Sequence, residues 1–386
     1  MSRTWTREDL FFDGDEYFND VIRGIDSAKK SVAFETYIYV DDPIGRRFES
    51  ALARAAKRGV EVRVVVDGIG ARHWVDSRAT SLAAEGVQVR VYHPLRIYEA
   101  TSRFLRKLGV GLKALEYGRI LFSRLNRRNH RKVVIVDESR AWVGSLNITA
   151  DHSAEVRGPE NAWRDTAVYV EGPPISAILI GFEYAFKKAH PLKGRREWTQ
   201  ALLKPAPNFR SAVVRQNFTL RLRRRTYQEF LKRIAKARRR IWITNAYLAP
   251  SAPVIKTLSR AAQRGVDVRI LVPRKSDVFF MPWVAGSHYS ALLKSKVKIY
   301  EFLPRFLHAK SVLIDNWATV GTSNLNGRSL RKDLEVDIVV RKPSSIRKLA
   351  RQFDKDLQES EEIRTSPHKL ASLVGRLILW VMRDLI

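Results

Sequence analysis

Residues 28–66 read AKKSVAFETYIYVDDPIGRRFESALARAAKRGVEVRVVV, and residues 237–272 read ARRRIWITNAYLAPSAPVIKTLSRAAQRGVDVRILV. The two stretches spell one unit twice. Each opens with a β-rich run, passes a proline-marked turn and continues with apolar positions at helical spacing. Those positions are Phe48, Leu52 and Ala55 in the first copy and Ile255, Leu258 and Ala262 in the second. Each helical pattern stops at Arg-Gly, where Gly59 or Gly265 supplies a C-terminal cap. A Val-rich run follows, apolar enough for a strand buried on both faces. Strand, helix, strand is a βαβ unit, so an α/β fold with parallel strands at the centre of each half is expected.

Each unit is followed by a second shared element. Residues 130–147 read HRKVVIVDESRAWVGSLN and residues 308–324 read HAKSVLIDNWATVGTSN. Both have the pattern of a hairpin: a strand, a turn at Asp137 or Asp315, and a second strand ending at Gly144 or Gly321. The spacer before the His is longer in the first copy, and the extra residues fall in a basic stretch, residues 95–128. A long insertion in a compact domain usually has a role, so a functional loop or short helix is expected there.

The repeated element carries chemistry. His130 and Lys132, like His308 and Lys310, are two residues apart, which on a strand puts both side chains on one face. A lysine there can neutralise phosphate oxygens, while an imidazole can attack phosphorus or move a proton near neutral pH. Asn147 and Asn324, three residues past the glycines, can donate to the same oxygens. Taken singly, each has a plain structural alternative. His-x-Lys is usual surface decoration, and Asp137 and Asp315 sit where turns favour Asp. The full set of His, Lys, Asp, Gly and Asn at fixed offsets, found twice after matching βαβ units, is what points to a site.

The chain has 386 residues and 45% apolar residues, enough for two ordinary domains. Lys+Arg 70 against Asp+Glu 40 gives a formal charge of +30, concentrated in Arg90–Lys132 and Lys187–Arg240. Such patches favour polyanionic partners, either nucleic acid or an anionic membrane surface. There is no cysteine, which excludes disulfides, thiolate nucleophiles and cysteine-ligated metals. The N-terminal residues lack the apolar core of a signal peptide, and no uncharged run approaches the ~18–20 residues of a membrane span. No metal-ligand cluster is visible: His73, His93, His152, His190, His288 and His368 are scattered in sequence. No cofactor is expected.

The pattern His-x-Lys-x4-Asp-x6-Gly-Ser-x-Asn resembles the signature of the phospholipase D superfamily, and residues 130–147 match it in full. The second copy departs slightly: five residues rather than six separate Asp315 from Gly321, and it ends Gly-Thr-Ser-Asn. This leaves open how the Asp315 turn is supported. The similarity runs across residues 10–340, including Phe34–Tyr39, Trp163-Arg164-Asp165 and Glu171-Gly172-Pro173. Within the superfamily the chain looks most like bacterial cardiolipin synthases of the short form without N-terminal membrane helices.

The resemblance implies two similar phospholipase D-like domains related by a pseudo-twofold axis, with the active site at their interface. Residues 1–205 would form the first domain and 206–365 the second. The resemblance also implies a metal-independent, two-step phosphatidyl transfer through a phosphohistidine. His130 would be the nucleophile and His308 the acid/base, although the repeat leaves the exchange of roles open. Lys132, Lys310, Asn147 and Asn324 would bind phosphoryl oxygens. Asp165 and Glu335 match the acids that orient the histidines in relatives, and Asp137, Asp315, Ser145 and Ser323 would support the motif.

Superfamily members also cleave DNA, so the motif does not settle the substrate. Three features favour anionic phospholipid, such as phosphatidylglycerol and cardiolipin, over nucleic acid. The insertion mixes Phe104, Leu105, Leu108 and Leu112 with its cations, more leucine than a nucleic-acid groove needs. Residues 370–386, LASLVGRLILWVMRDLI, read as an amphipathic helix 366–386 with Leu377, Val381 and Trp380 suited to a membrane interface and Arg376 and Arg383 beside them. The charge of +30 would attract anionic lipid. A peripheral location on the cytoplasmic face of the bacterial inner membrane is expected, and nothing in the sequence addresses oligomeric state.

Overall fold

A computed structural model of the chain describes residues 4–94, 127–192 and 211–365, together with Val374, Gly375, Leu377 and Ile378. The insertion at 95–128 therefore lies outside the described residues except for Arg127 and Arg128, as do Arg376, Trp380, Val381 and Arg383.

The first half supplies strands β1 (Arg7–Phe11), β2 (Ser31–Thr36), β3 (Glu61–Asp67), β4 (Gln88–Tyr92), β5 (Val133–Val136), β6 (Arg140–Gly144), β7 (Ala167–Glu171) and β8 (His190–Pro191). The second supplies β9 (Val214–Gln216), β10 (Arg240–Asn245), β11 (Asp267–Pro273), β12 (Lys298–Phe302), β13 (Lys310–Ile314), β14 (Trp317–Gly321), β15 (Val336–Val340) and β16 (Ser360–Ile363). The sheet orders are β1-β7-β6-β5-β2-β3-β4-β8 and β16-β12-β11-β10-β13-β14-β15-β9. Read from opposite ends, they are the same sheet built twice.

The repeated stretches form the units expected of them. β2, the helix Pro43–Lys57 and β3 make one βαβ crossover; β10, the helix Ala252–Gln263 and β11 make the other. β2-β3-β4 and β10-β11-β12 are parallel, while every other described strand pair is antiparallel. The sheets are therefore mixed, because the hairpins add antiparallel strands to a parallel centre. Gly59 (φ +84°) and Gly265 (φ +88°) end the two helices in the left-handed conformation that glycine reaches without strain.

Both hairpins form, and their aspartates explain how. The Asp137 carboxylate accepts backbone N–H groups from Lys29, Lys30 and Ser31 at 2.7–3.1 Å. The Asp315 carboxylate accepts those of Arg238, Arg239 and Arg240 at 2.9–3.1 Å. Each aspartate thus caps the start of the neighbouring parallel strand, a structural duty away from the histidines. The one-residue difference is absorbed at the loop tip. Val136 pairs with Arg140 across three residues, whereas Ile314 pairs with Trp317 across two. Asp137 and Asp315 both have φ of 52°, so the shorter turn is supported in the same way as the longer one.

One core runs through both halves. Val133, Ile135, Val143 and Val168 pack in a single cluster with Leu313, Val320, Val336 and Ile338. Burial of this kind contributes about 25 cal/mol per Å² of apolar surface, so the two sheets stabilise each other as well as themselves. Gly144 and Gly321, which end the hairpins, sit where a Cβ would come within 2.4 Å of Ala167 Cβ and within 2.3 Å of the Asp337 carboxylate. The motif glycines are needed because β7 and β15 approach too closely for any side chain.

Among the described residues no helix is long and apolar enough to cross a membrane. The described part of the C-terminal stretch is helical and has two faces. Gly375 lies against the backbone of Trp283, and Ile378 packs on the cluster of Met281 and Val284, while Leu377 is 60% exposed.

Candidate active site between the two halves

The two halves meet at short backbone bridges that carry the site. Asn129 pairs with Leu334, and Arg164 pairs with Leu307. The His130 N–H donates to Leu334 O at 3.1 Å, and the His308 N–H donates to Arg164 O at 2.8 Å. Because Glu335 follows Leu334 and Asp165 follows Arg164, each bridge delivers a carboxylate from one half to the histidine of the other. His130 Nδ1 lies 3.1 Å from both Glu335 oxygens, and His308 Nδ1 lies 2.9 Å from Asp165 Oδ1. Sequence reasoning selected both acids, but the crossing between halves is visible only in three dimensions.

His130, His308, Asn147, Asn324, Tyr37, Tyr247, Trp163 and Arg328 line one cleft of about 450 Å³. With Nδ1 engaged by a carboxylate, each imidazole presents Nε2 as its free nitrogen. Burial pushes both histidines well below their ordinary range, and the neighbouring lysines add to the effect. In the free site both rings are thus held toward the neutral form, and a bound phosphodiester anion favours protonation of one of them.

The lysines sit with the histidines they were paired with in sequence. Lys132 Nζ donates to His130 O at 2.8 Å and Lys310 Nζ to His308 O at 2.5 Å. Burial, followed by repulsion from Lys310, pushes Lys132 down to about 7, and burial pushes Lys310 down to about 8. Two desolvated ammonium groups that repel across the interface favour an anion between them. Asn147 Oδ1 accepts the Ile38 N–H at 3.3 Å, which fixes the amide and leaves its NH2 as a donor at the cleft.

The two carboxylates differ in character. Burial alone would raise Asp165, but the His152 and His308 imidazoles overcome it and hold the carboxyl well below the usual range. Burial raises Glu335 to about 7, against the pull of Lys132 and hydrogen bonds from Ser329 and Thr322.

The motif hydroxyls tie the site loops to the adjacent strands. Ser145 Oγ donates to Thr166 O at 3.1 Å and accepts the Thr166 N–H at 3.0 Å. Its counterpart is Thr322, whose Oγ1 donates to Glu335 Oε2 at 2.5 Å and accepts the Val336 N–H at 3.0 Å. Ser323 reaches the same strand, its Oγ donating to Asp337 Oδ2 at 2.7 Å and its N–H to Asp337 Oδ1 at 3.2 Å. In the second copy the hydroxyl directly after the motif glycine is a threonine, and both it and Ser323 bond to β15.

Sequence reasoning missed three kinds of residue. Tyr37 and Tyr247 each leave the first strand of a βαβ unit and stand beside a motif lysine, with Nζ 5.3 and 5.8 Å from the ring centroids. Their signal was the tyrosine shortly after each strand, in TYIY and NAYL. Arg131, the variable residue of His-x-Lys, is buried and pairs with Glu35 at 3.0 Å, which also accepts Asn129 Nδ2 at 2.6 Å. This buried network holds the His130 loop in place.

The third is His152, which looked unconnected in the sequence. Its Nδ1 is 2.6 Å from Asp165 Oδ2. The ligand-type atoms of His152, Asp165 and His308 all lie within 4.8 Å of one another, the composition of a cation site. Each carboxylate oxygen already faces an imidazole Nδ1, so hydrogen bonding accounts for the cluster.

Comparison with known proteins places this geometry in a family. The family model described as "Cardiolipin synthase, PLD-like domain" matches residues 21–166 and 230–357, once in each half. The chain belongs to that family. It is 31% identical over 336 residues to cardiolipin synthase B of Escherichia coli K12, spanning 86% of this chain and 75% of that protein. It is 29% identical over 376 residues to a cardiolipin synthase of Clostridium perfringens, spanning 96% of this chain and 74% of the relative. Among solved structures, the phosphatidylserine synthase of Haemophilus influenzae Rd KW20 shares the fold, with a TM-score of 0.71 over all of this chain and 95% of its own, at 12% identity.

Proposed function

We propose that the protein is a phosphatidyltransferase that makes cardiolipin from phosphatidylglycerol or a related anionic phospholipid. The observation that carries this reading is the pair of imidazoles on one cleft, each with Nδ1 held by a carboxylate from the opposite half. In the first step His130 Nε2 attacks the phosphorus of phosphatidylglycerol. The bond to the glycerol oxygen breaks, and that oxygen takes a proton from the Nε2 of protonated His308. A phosphatidyl-His130 remains. In the second step His308 removes the proton from a hydroxyl of a second phosphatidylglycerol. The resulting oxygen attacks phosphorus, releasing His130 and forming cardiolipin.

Lys132, Lys310, Asn147 and Asn324 donate to the non-bridging oxygens as charge builds on them. The two phosphorus-binding halves correspond to domains 1–205 and 206–365. Residues 366–386 contact the membrane, Leu377 being an exposed apolar position on that stretch, and the protein works at the cytoplasmic face.

The test incubates purified protein with phosphatidylglycerol vesicles in the presence of a chelator and identifies products by mass spectrometry. Cardiolipin and free glycerol are expected, with His130→Ala and His308→Ala each inactive. Phosphatidic acid alone would make it a hydrolase, and turnover by a variant lacking both histidines would end the mechanism.

A further inference from the structure

The partner of the second half's catalytic histidine is itself held by another histidine. His152 is buried, in a 3₁₀ turn spanning Ala150–His152. Its Nε2 accepts the backbone N–H of Asn147 at 3.1 Å, so that nitrogen carries no proton. The proton must then sit on Nδ1, which donates to Asp165 Oδ2 at 2.6 Å. Asp165 Oδ1 is left for His308. The environment thus sets one tautomer, and a single side chain spans the distance from the Asn147 backbone to the carboxylate.

The second half holds its motif asparagine with different chemistry. Ser329 lies five residues after Asn324, as His152 lies five after Asn147. Ser329 Oγ accepts the Asn324 N–H at 3.2 Å, and Ser329 is among the groups that pull the Glu335 carboxyl down against burial. The contact to the backbone of the motif asparagine is therefore present in both halves, at the same offset. The device is a rigid imidazole in one half and a hydroxyl in the other, so a filler of core space is a poor description of either. Trp163, 5.0 Å from the His152 ring centroid and 5.2 Å from that of His308, closes the cluster.

We propose that His152 is a positioning residue: it fixes Asp165 so that the carboxylate orients His308, and it sets the Asn147 loop from the same ring. The role follows from the two hydrogen bonds of His152, and its contact to the motif asparagine recurs at Ser329. It rests on the phosphatidyl-transfer reading only for its kinetic consequence. A hydrogen-bonded partner once removed from the reacting atoms typically acts by holding geometry, where a displacement of about 1 Å can cost 10²-fold.

The experiment follows the His308 ring by NMR titration with labelled histidine in the full chain, beside turnover of phosphatidylglycerol vesicles. His152→Asn keeps an N–H near the Nδ1 position; His152→Gln and His152→Ala do not. In His152→Ala the Asp165 charge is shared with one donor instead of two, so it attracts the His308 proton more strongly. The His308 midpoint is expected to move up, with kcat down about 10- to 100-fold and KM within twofold. His152→Asn is expected to restore most of the midpoint and the rate. If His152→Ala does not fold, the same contrast is read between Asn and Gln, with Gln displaced and Asn near the parent.

A His308 titration identical to the parent in His152→Ala, or in His152→Gln where Ala does not fold, would overturn the proposal. So would His152→Asn as displaced as the other variants at unchanged melting temperature. The titration needs no phospholipid. A parent protein that transfers no phosphatidyl group would therefore sink the proposed function and leave this inference to be decided by NMR.

Discussion

Glu335 and His130 are 205 positions apart in the chain, yet His130 Nδ1 lies 3.1 Å from both oxygens of the Glu335 carboxylate. The mirror relation joins Asp165 to His308 at 2.9 Å. Each half thus contributes the base of one pair and the acid of the other, which separates the effects of mutations in an unusual way.

Replacing Glu335 by Gln should impair the His130 step, and replacing Asp165 by Asn the His308 step. Losses of about 10²-fold or more in kcat are expected, the scale on which a misoriented imidazole fails. A double-mutant cycle checks the assignment. Glu335→Gln should add almost nothing to His130→Ala, because residues acting as a unit are non-additive. Additive losses for that pair would contradict the crossed geometry.

The pH profile of kcat/KM should be a narrow bell. As pH falls through about 7, Glu335 takes up a proton and no longer accepts from His130 Nδ1; this pair titrates as a unit. As pH rises through about 7 to 8, Lys132 and Lys310 lose the charge that holds the phosphodiester. A bound anion favours the charged lysines, so the alkaline limb of kcat should lie above that of kcat/KM. Initial rates across pH 5–10, with Glu335→Gln losing the acid limb, test both sides.

Lys132→Met should separate stability from function. The folded lysine sits near 7 against 10.5 in the unfolded chain, so between those values the unfolded state binds more protons. The contribution of this lysine to stability therefore improves as pH rises through that window, and at pH 7 it is least favourable. Methionine removes the buried charge, so melting at pH 7 should be unchanged or higher while turnover falls at least about 10²-fold. Differential scanning calorimetry at pH 7 and pH 10 measures the difference, which should shrink at the higher pH.

Asp137→Ala and Asp315→Ala should behave in the opposite manner. Each removes a carboxylate that accepts three backbone N–H groups, and no described contact joins it to the cleft. A loss of about 1–3 kcal/mol of stability per site is expected, with the activity of the remaining folded protein close to parental. Urea unfolding alongside rates at low temperature distinguishes this from a catalytic loss.

Much of this was legible in the sequence, for physical reasons. The βαβ units declared themselves because alternation and helical spacing are local, and the motif because its residues lie within one hairpin. The crossing of Asp165 and Glu335 was illegible because it depends on how two sheets dock. His152 was illegible because a histidine five residues past an asparagine has no pattern of its own; aligning the halves and finding Ser329 at the same offset is the signal that reveals it. Thr322 was not singled out beside Ser323, because it carries a different letter from Ser145 although its hydroxyl stands at the same position after the glycine. Sequence does not divide the C-terminal apolar residues, because packing inward and facing a membrane use the same spacing; Ile378 packs inward and Leu377 is exposed.

The exchange of carboxylates also bears on the order in which the chain is made. His130 leaves the ribosome about two hundred residues before Glu335, and at 5–20 residues per second that interval lasts roughly 10–40 s. Throughout it the nascent first half carries a reactive-type imidazole with no acid to aim it. An unfinished polypeptide thus lacks the oriented imidazole, and the site is complete only when the last strands of the second sheet are in place.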